Sequence, residues 1–124
     1  MNPRQVVFVD RVGLLSVLDR SRSDHAMARV LWEMECDAGS SLVTTNYAVL
    51  AAAIELQTRY GREAVRVLHD LVLPAMHVEW CGRSDHAMAA AALLASGEDR
   101  ADLGHHADEQ VRLRLRIDNG LSLE

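Results

Sequence analysis

Three short strand-like runs constrain this chain most: Val6-Val7-Phe8-Val9, Ser41-Leu42-Val43-Thr44 and Met76-His77-Val78-Glu79-Trp80. Each is followed by residues with helical spacing. The first is apolar, rich in β-branched residues, and stops at Asp10. Such runs fit strands buried on both faces, as in a parallel sheet. After Asp10, Leu14, Leu15 and Leu18 recur at helical spacing over Val12 to Leu18. Ser23-Asp24 offers a cap for a helix over His25 to Asp37, and Asn46 one for a helix to Tyr60, which Gly61 ends. A further helix runs from Arg62 to Leu73 and closes at Pro74. Ser84-Asp85 starts another, to Ser96, before the loop Gly97 to Arg100. Strands alternating with helices predict an α/β fold with three α/β/α layers around a short, mostly parallel sheet. Ligands in such folds bind beyond the carboxyl ends of the strands. Asp10 and Thr44-Thr45-Asn46 stand at those ends, in one crevice.

The 124 residues suffice for one domain with a real core, over 1–124. Aromatics are only 4% of the chain, so Leu, Val and Ala must build that core. Thirteen basic residues, all Arg, against eighteen acidic ones leave a formal charge of -5. That field repels nucleic acid unless a basic patch or a bridging metal intervenes. Cys36 and Cys81 fit no metal or redox spacing and read as reduced structural thiols. The longest apolar run, Ala48 to Ile54, is far short of a membrane span, and no signal-peptide core is visible. A cytoplasmic protein without membrane contact is the expectation. No Gly-rich phosphate loop or nucleophile elbow points to another enzyme class.

The heptapeptide Arg22-Ser23-Asp24-His25-Ala26-Met27-Ala28 recurs as Arg83-Ser84-Asp85-His86-Ala87-Met88-Ala89. Two capped helix starts account for it better than a paired role for His25 and His86. Near the C-terminus, Val111-Arg112-Leu113-Arg114-Leu115-Arg116-Ile117 alternates strictly. A strand would put its four apolar residues on one face and three arginines on the other. That pattern favours a strand, although Arg and Leu are good helix formers. Asp118-Asn119-Gly120 then signals a turn, with Leu121 to Leu123 as a return strand.

Val6-Val7-Phe8-Val9-Asp10 with Gly13-Leu14-Leu15 resembles the opening strand and first acidic residue of PIN domains. Leu42-Val43-Thr44-Thr45-Asn46-Tyr47 and Leu56-Gln57-Thr58-Arg59-Tyr60-Gly61 are similar to their second strand and following helix. His77-Val78-Glu79-Trp80 and the helix near Asp85 match the next unit in order and spacing, so the resemblance spans roughly 5–103, and 104–124 is a divergent segment. It implies a relationship to VapC-like toxins, endoribonucleases that use Mg²⁺ or Mn²⁺ and belong to toxin–antitoxin pairs. It also implies a homodimer, an antitoxin-like partner, and RNA as substrate where activity persists.

The implied chemistry needs several carboxylates around a hard cation whose bound water attacks the phosphodiester. Asp10 matches the first position. The second is Ala51 here, with Glu55 four residues later as a possible substitute. The third falls near Ala107, which makes Asp108 the candidate. Asp10 and Asp108 are thus the expected catalytic residues, and Asp10, Asp108 and Glu55 the expected metal ligands. The depleted set favours a catalytically impaired PIN-like protein acting as a binding or oligomerising module. Two alternatives stand beside it: an active Mg²⁺/Mn²⁺ endoribonuclease, and a zinc protein using His105 and His106 with Asp102 and Glu109.

Overall fold

The computed structural model describes residues 5–97 and 102–121. Strand β1 (Val6–Phe8) leads into α1 (Arg11–Leu18) and α2 (His25–Asp37). Strand β2 (Ser41–Thr45) runs straight into α3 (Asn46–Tyr60) and then α4 (Arg62–Val67), which continues through a π-helical turn to Val72 and a 3₁₀ turn to Ala75. Strand β3 (His77–Glu79), α5 (Arg83–Ser96), α6 (Leu103–Leu115) and the two-residue β4 (Asn119–Gly120) complete the order. The sheet order is β3-β2-β1-β4 and every pairing is parallel. This is the α/β architecture expected, with helices flanking a parallel sheet.

Both faces of the sheet are buried because neighbouring strand residues point opposite ways. Val7, Val9 and Leu42 join Leu14, Ala52, Leu56 and Leu68 in the main core. Phe8 and Val43 turn to the other side and meet Ile117. A satellite core of Cys81, Ala89, Ala107 and Val111 joins α5 to α6. Gly13 lets α1 lie close to β1: a Cβ there would come within 2.8 Å of Val9 Cγ1, too near for any side chain.

The C-terminal run Val111 to Ile117 corrects the strand reading. It is helical through Leu115, and Arg116 ends it in the left-handed conformation at φ 57°. Its buried residues, Ala107, Asp108 and Val111, follow helical rather than alternating spacing, and Leu113 is 72% exposed. Helix propensity and tertiary ion pairs outweigh the alternation. Arg114 bonds Glu79 and Asp85 at 2.9 and 3.1 Å, whereas Arg112 turns back onto the carbonyls of Ile117 and Asp118. The expected hairpin does not form either. Asn119 and Gly120 pair with Val7 and Phe8 in parallel, and Ser122 and Leu123 lie outside the described residues. So does Glu98 to Arg100 of the expected loop.

The helix starts also differ in detail. Thr45, not Asn46, caps α3, accepting from Ala48 N at 3.0 Å. The duplicated heptapeptide sits at two helix starts but in different registers, since α2 begins at His25 and α5 at Arg83. Neither copy supplies a side-chain cap. Asp24 instead accepts from Ser16 and Arg22, and Asp85 from Arg114.

Truncation separates the helical from the strand arrangement of 111–117. Val111→Ala should cost about 2 kcal/mol, because it removes buried methyls. Leu113→Ala should change stability by less than about 0.5 kcal/mol. Urea denaturation reads both; equal, large losses would favour a shared buried face.

An acidic cavity at the carboxyl ends of the strands

Asp10 follows β1 and caps α1, its Oδ1 accepting from Gly13 N at 2.8 Å. Thr45 closes β2 and is fully buried. Its hydroxyl donates to Asp108 Oδ1 at 2.6 Å while accepting from Ala48 N. Asn46 reaches the other way, accepting from Cys81 N at 2.6 Å and so fixing the segment after β3. Asp102 caps α6 through His105 N at 2.9 Å, and its second oxygen accepts from Arg11 Nη1, also at 2.9 Å. These links gather Asp10, Arg11, Tyr47, Ala51, Asp102 and Asp108 around a cavity of about 100 Å³.

Burial pushes the Asp108 carboxyl up to about 6, against its usual 3.8. The Thr45 hydrogen bond opposes that rise, and the negative charge of Asp10 adds to it. Asp102 moves the other way, held below the usual range chiefly by the His105 backbone N–H, then by Arg11. The two aspartates named from the sequence therefore face each other's charge in one cavity.

Glu55 stands apart. Four residues beyond Ala51 on α3, it is about 6 Å further along the helix axis. It pairs with Arg59 at 3.8 Å and does not line the cavity. Arg59 also bonds the buried Asp19, whose carboxyl is held at about 2 by Ser21, Tyr60 and Arg59. Glu55 thus belongs to the charged cluster at the far end of α3. His105 lines the cavity and meets the ring of His106 edge-on, with centroids 5.5 Å apart. His105 pairs with Glu109 at 3.0 Å, while His106 Nε2 is enclosed without a hydrogen-bond partner among the described residues. His25 meets the Ser16 carbonyl, whereas His86 bonds the Tyr47 hydroxyl.

A hard divalent cation needs several converging oxygens. Ala51 presents a methyl to the cavity, Asp102 has both oxygens engaged, and Arg11 brings a positive charge of its own. Among the described residues, no group of three or more His, Cys, Asp or Glu is placed to hold a metal ion. These donors do not fit Mg²⁺ or Mn²⁺, nor do the histidines fit zinc. Sequence reasoning missed Arg11 and Tyr47 as cavity residues. The only available signal was adjacency, Arg11 to Asp10 and Tyr47 to Asn46.

Asp108 carries a pH signature. The folded state holds its proton more tightly than the unfolded chain, so stability falls as pH rises from about 4 to about 6 and stays lower above that. The shift of about two units corresponds to about 3 kcal/mol. Asp108→Asn, which keeps an acceptor for Thr45, should therefore be more stable than wild type at neutral pH and equal to it near pH 4. Urea titrations at the two pH values check the sign; a variant less stable at neutral pH would contradict it.

No family model matches the sequence, and no curated protein matches it. Among solved structures, VapC20 of Mycobacterium tuberculosis, a toxin that cleaves the sarcin–ricin loop, superposes with a TM-score of 0.84. The match covers 95% of this chain and 89% of that one at 18% identity. Identity that low speaks for the backbone arrangement and not for the chemistry. With its parallel sheet, its helix order and an aspartate at the end of β1, the chain has the VapC-like PIN-domain fold.

Proposed function

We propose that this protein is a PIN-like relative of metal-dependent endoribonuclease toxins whose catalytic capacity is impaired or lost, and that it acts as a binding and oligomerising module. The observation that carries this reading is Ala51, whose methyl lines the cavity where a third converging carboxylate is needed. Hydrolysis of a phosphodiester by this route requires a cation that activates water. Asp10 and Asp108 each already spend one oxygen on Gly13 and Thr45, which leaves few to share. Arg11 neutralises part of the remaining charge through Asp102.

An active Mg²⁺- or Mn²⁺-dependent endoribonuclease is the second reading. Its support is that Asp10 and Asp108 share one cavity, where the charge of Asp10 adds to the cost of ionising the buried Asp108. In that case RNA is the substrate. In either case a second copy or an antitoxin-like protein is the expected partner class. None of the described helices is long and apolar enough to cross a membrane. Both cysteines are free thiols, in keeping with a cytoplasmic location.

Fluorogenic RNA cleavage with Mg²⁺ or Mn²⁺ tests the choice. Wild type and Asp10→Ala are both expected at background. Cleavage by wild type that disappears in Asp10→Ala would overturn the proposal in favour of the second reading.

A further inference from the structure

A cleft of about 470 Å³ opens at the far end of α3, between the C-terminal end of α1, the first turns of α2, and α4. Tyr60, which lines it, lies nine positions beyond Ala51 on α3, about 13 Å along the helix axis. The cleft is therefore separate from the acidic cavity. Its volume is that of small-molecule clefts, roughly 300–1,000 Å³. Val17, Leu18, Ala64 and Val67 give it apolar walls, with the Tyr60 ring beside them. The Tyr60 hydroxyl donates to Asp19 and Ser21, which holds that ring in place.

Charge at this cleft runs against that of the chain. Arg20, Arg29 and His25 line it against one carboxylate, Glu63, in a protein of formal charge -5. Arg20 has no hydrogen-bond or ion-pair partner among the described residues. The Arg29 contact with Glu33 is long, at 3.5 Å, and both side chains are more than half exposed, so water screens it. Glu63 is paired with Arg66 at 3.2 Å. The neighbouring carboxylates are spent within the fold, Asp19 on Ser21, Tyr60 and Arg59, and Asp24 on Arg22 and Ser16. A carbonyl can only accept, so the 2.9 Å contact of His25 Nδ1 with the Ser16 carbonyl puts a proton on Nδ1 and leaves Nε2 for a ligand. The geometry points to this cleft as a binding site for a small amphiphilic anion, a carboxylate carried on an aliphatic tail. The tail takes the apolar walls, and the head takes the guanidiniums of Arg20 and Arg29, whose forked N–H donors match a carboxylate. A neutral tail would make no use of these cations, and a bare anion would leave the apolar walls in water.

This site shares no residue with the acidic cavity, so it stands whether or not the chain cleaves RNA. Titration calorimetry of the full chain with octanoate should show one saturable site with a Kd of about 1 mM or tighter. Acetate, the head alone, should not saturate in the same range. Octylammonium, the same tail with the opposite charge, should bind roughly 10-fold more weakly or worse. Arg20→Glu and Arg29→Glu, both at exposed positions, should each weaken octanoate by roughly 10-fold, the scale of one charged hydrogen bond. Val67→Trp, which fills the cleft from its exposed rim, should abolish binding. Arg83→Glu, outside the cleft, should leave it unchanged. Failure of octanoate to saturate, or equal binding of octylammonium, would overturn the assignment. So would octanoate binding that survives the substitutions in the cleft, or that Arg83→Glu removes.

Discussion

A single buried hydroxyl organises the carboxyl end of this sheet. Thr45 accepts from the first turn of α3 and donates to Asp108 on α6, a residue 63 positions later. A hydrogen bond to a carboxylate is worth about 1.5–3 kcal/mol, and its loss would leave a buried acceptor unmatched. The neighbouring Asn46 repeats the device toward Cys81. Two consecutive side chains thereby hold α3, the segment after β3, and α6 in fixed relation. The cavity between Asp10 and Asp108 follows from that relation.

Its charge is not arranged for stability. Asp108 is nearly enclosed, faces the charge of Asp10, and ionises only at a cost. Nearby carboxylates of this kind normally persist because a cation repays them. Here the repayment is partial and internal, through the Arg11 guanidinium on Asp102. Ala51 removes the negative oxygen that would complete a ligand set. The cavity keeps the electrostatic cost of clustered carboxylates, and on the proposed reading it lacks the donors to turn that cost to use.

How far this was legible in the sequence depended on the range of the forces. The strands β1 and β2 were readable because both faces are buried, so local apolar runs report directly on the sheet. The helix α3 was readable from Asn46 to Gly61, though its cap belongs to Thr45, whose role depends on Asp108 far along the chain. The helix α6 misled. Its alternating Arg and Leu residues imitate a strand, and what settles them is Arg114 finding Glu79 and Asp85 from other elements. Glu55 falls outside the cavity through register alone, one turn beyond Ala51. The link between Arg11 and Asp102, 91 residues apart, has no local signature at all.

The central claim is that three cavity aspartates, one of them tied to an arginine, do not make a divalent-metal site. Titration calorimetry with Mn²⁺ on the wild-type chain tests it most directly. No saturable binding up to millimolar Mn²⁺ is the predicted outcome, with binding emerging once a carboxylate is restored in Ala51→Glu. Saturable micromolar binding by wild type, abolished by Asp10→Asn, would contradict the account.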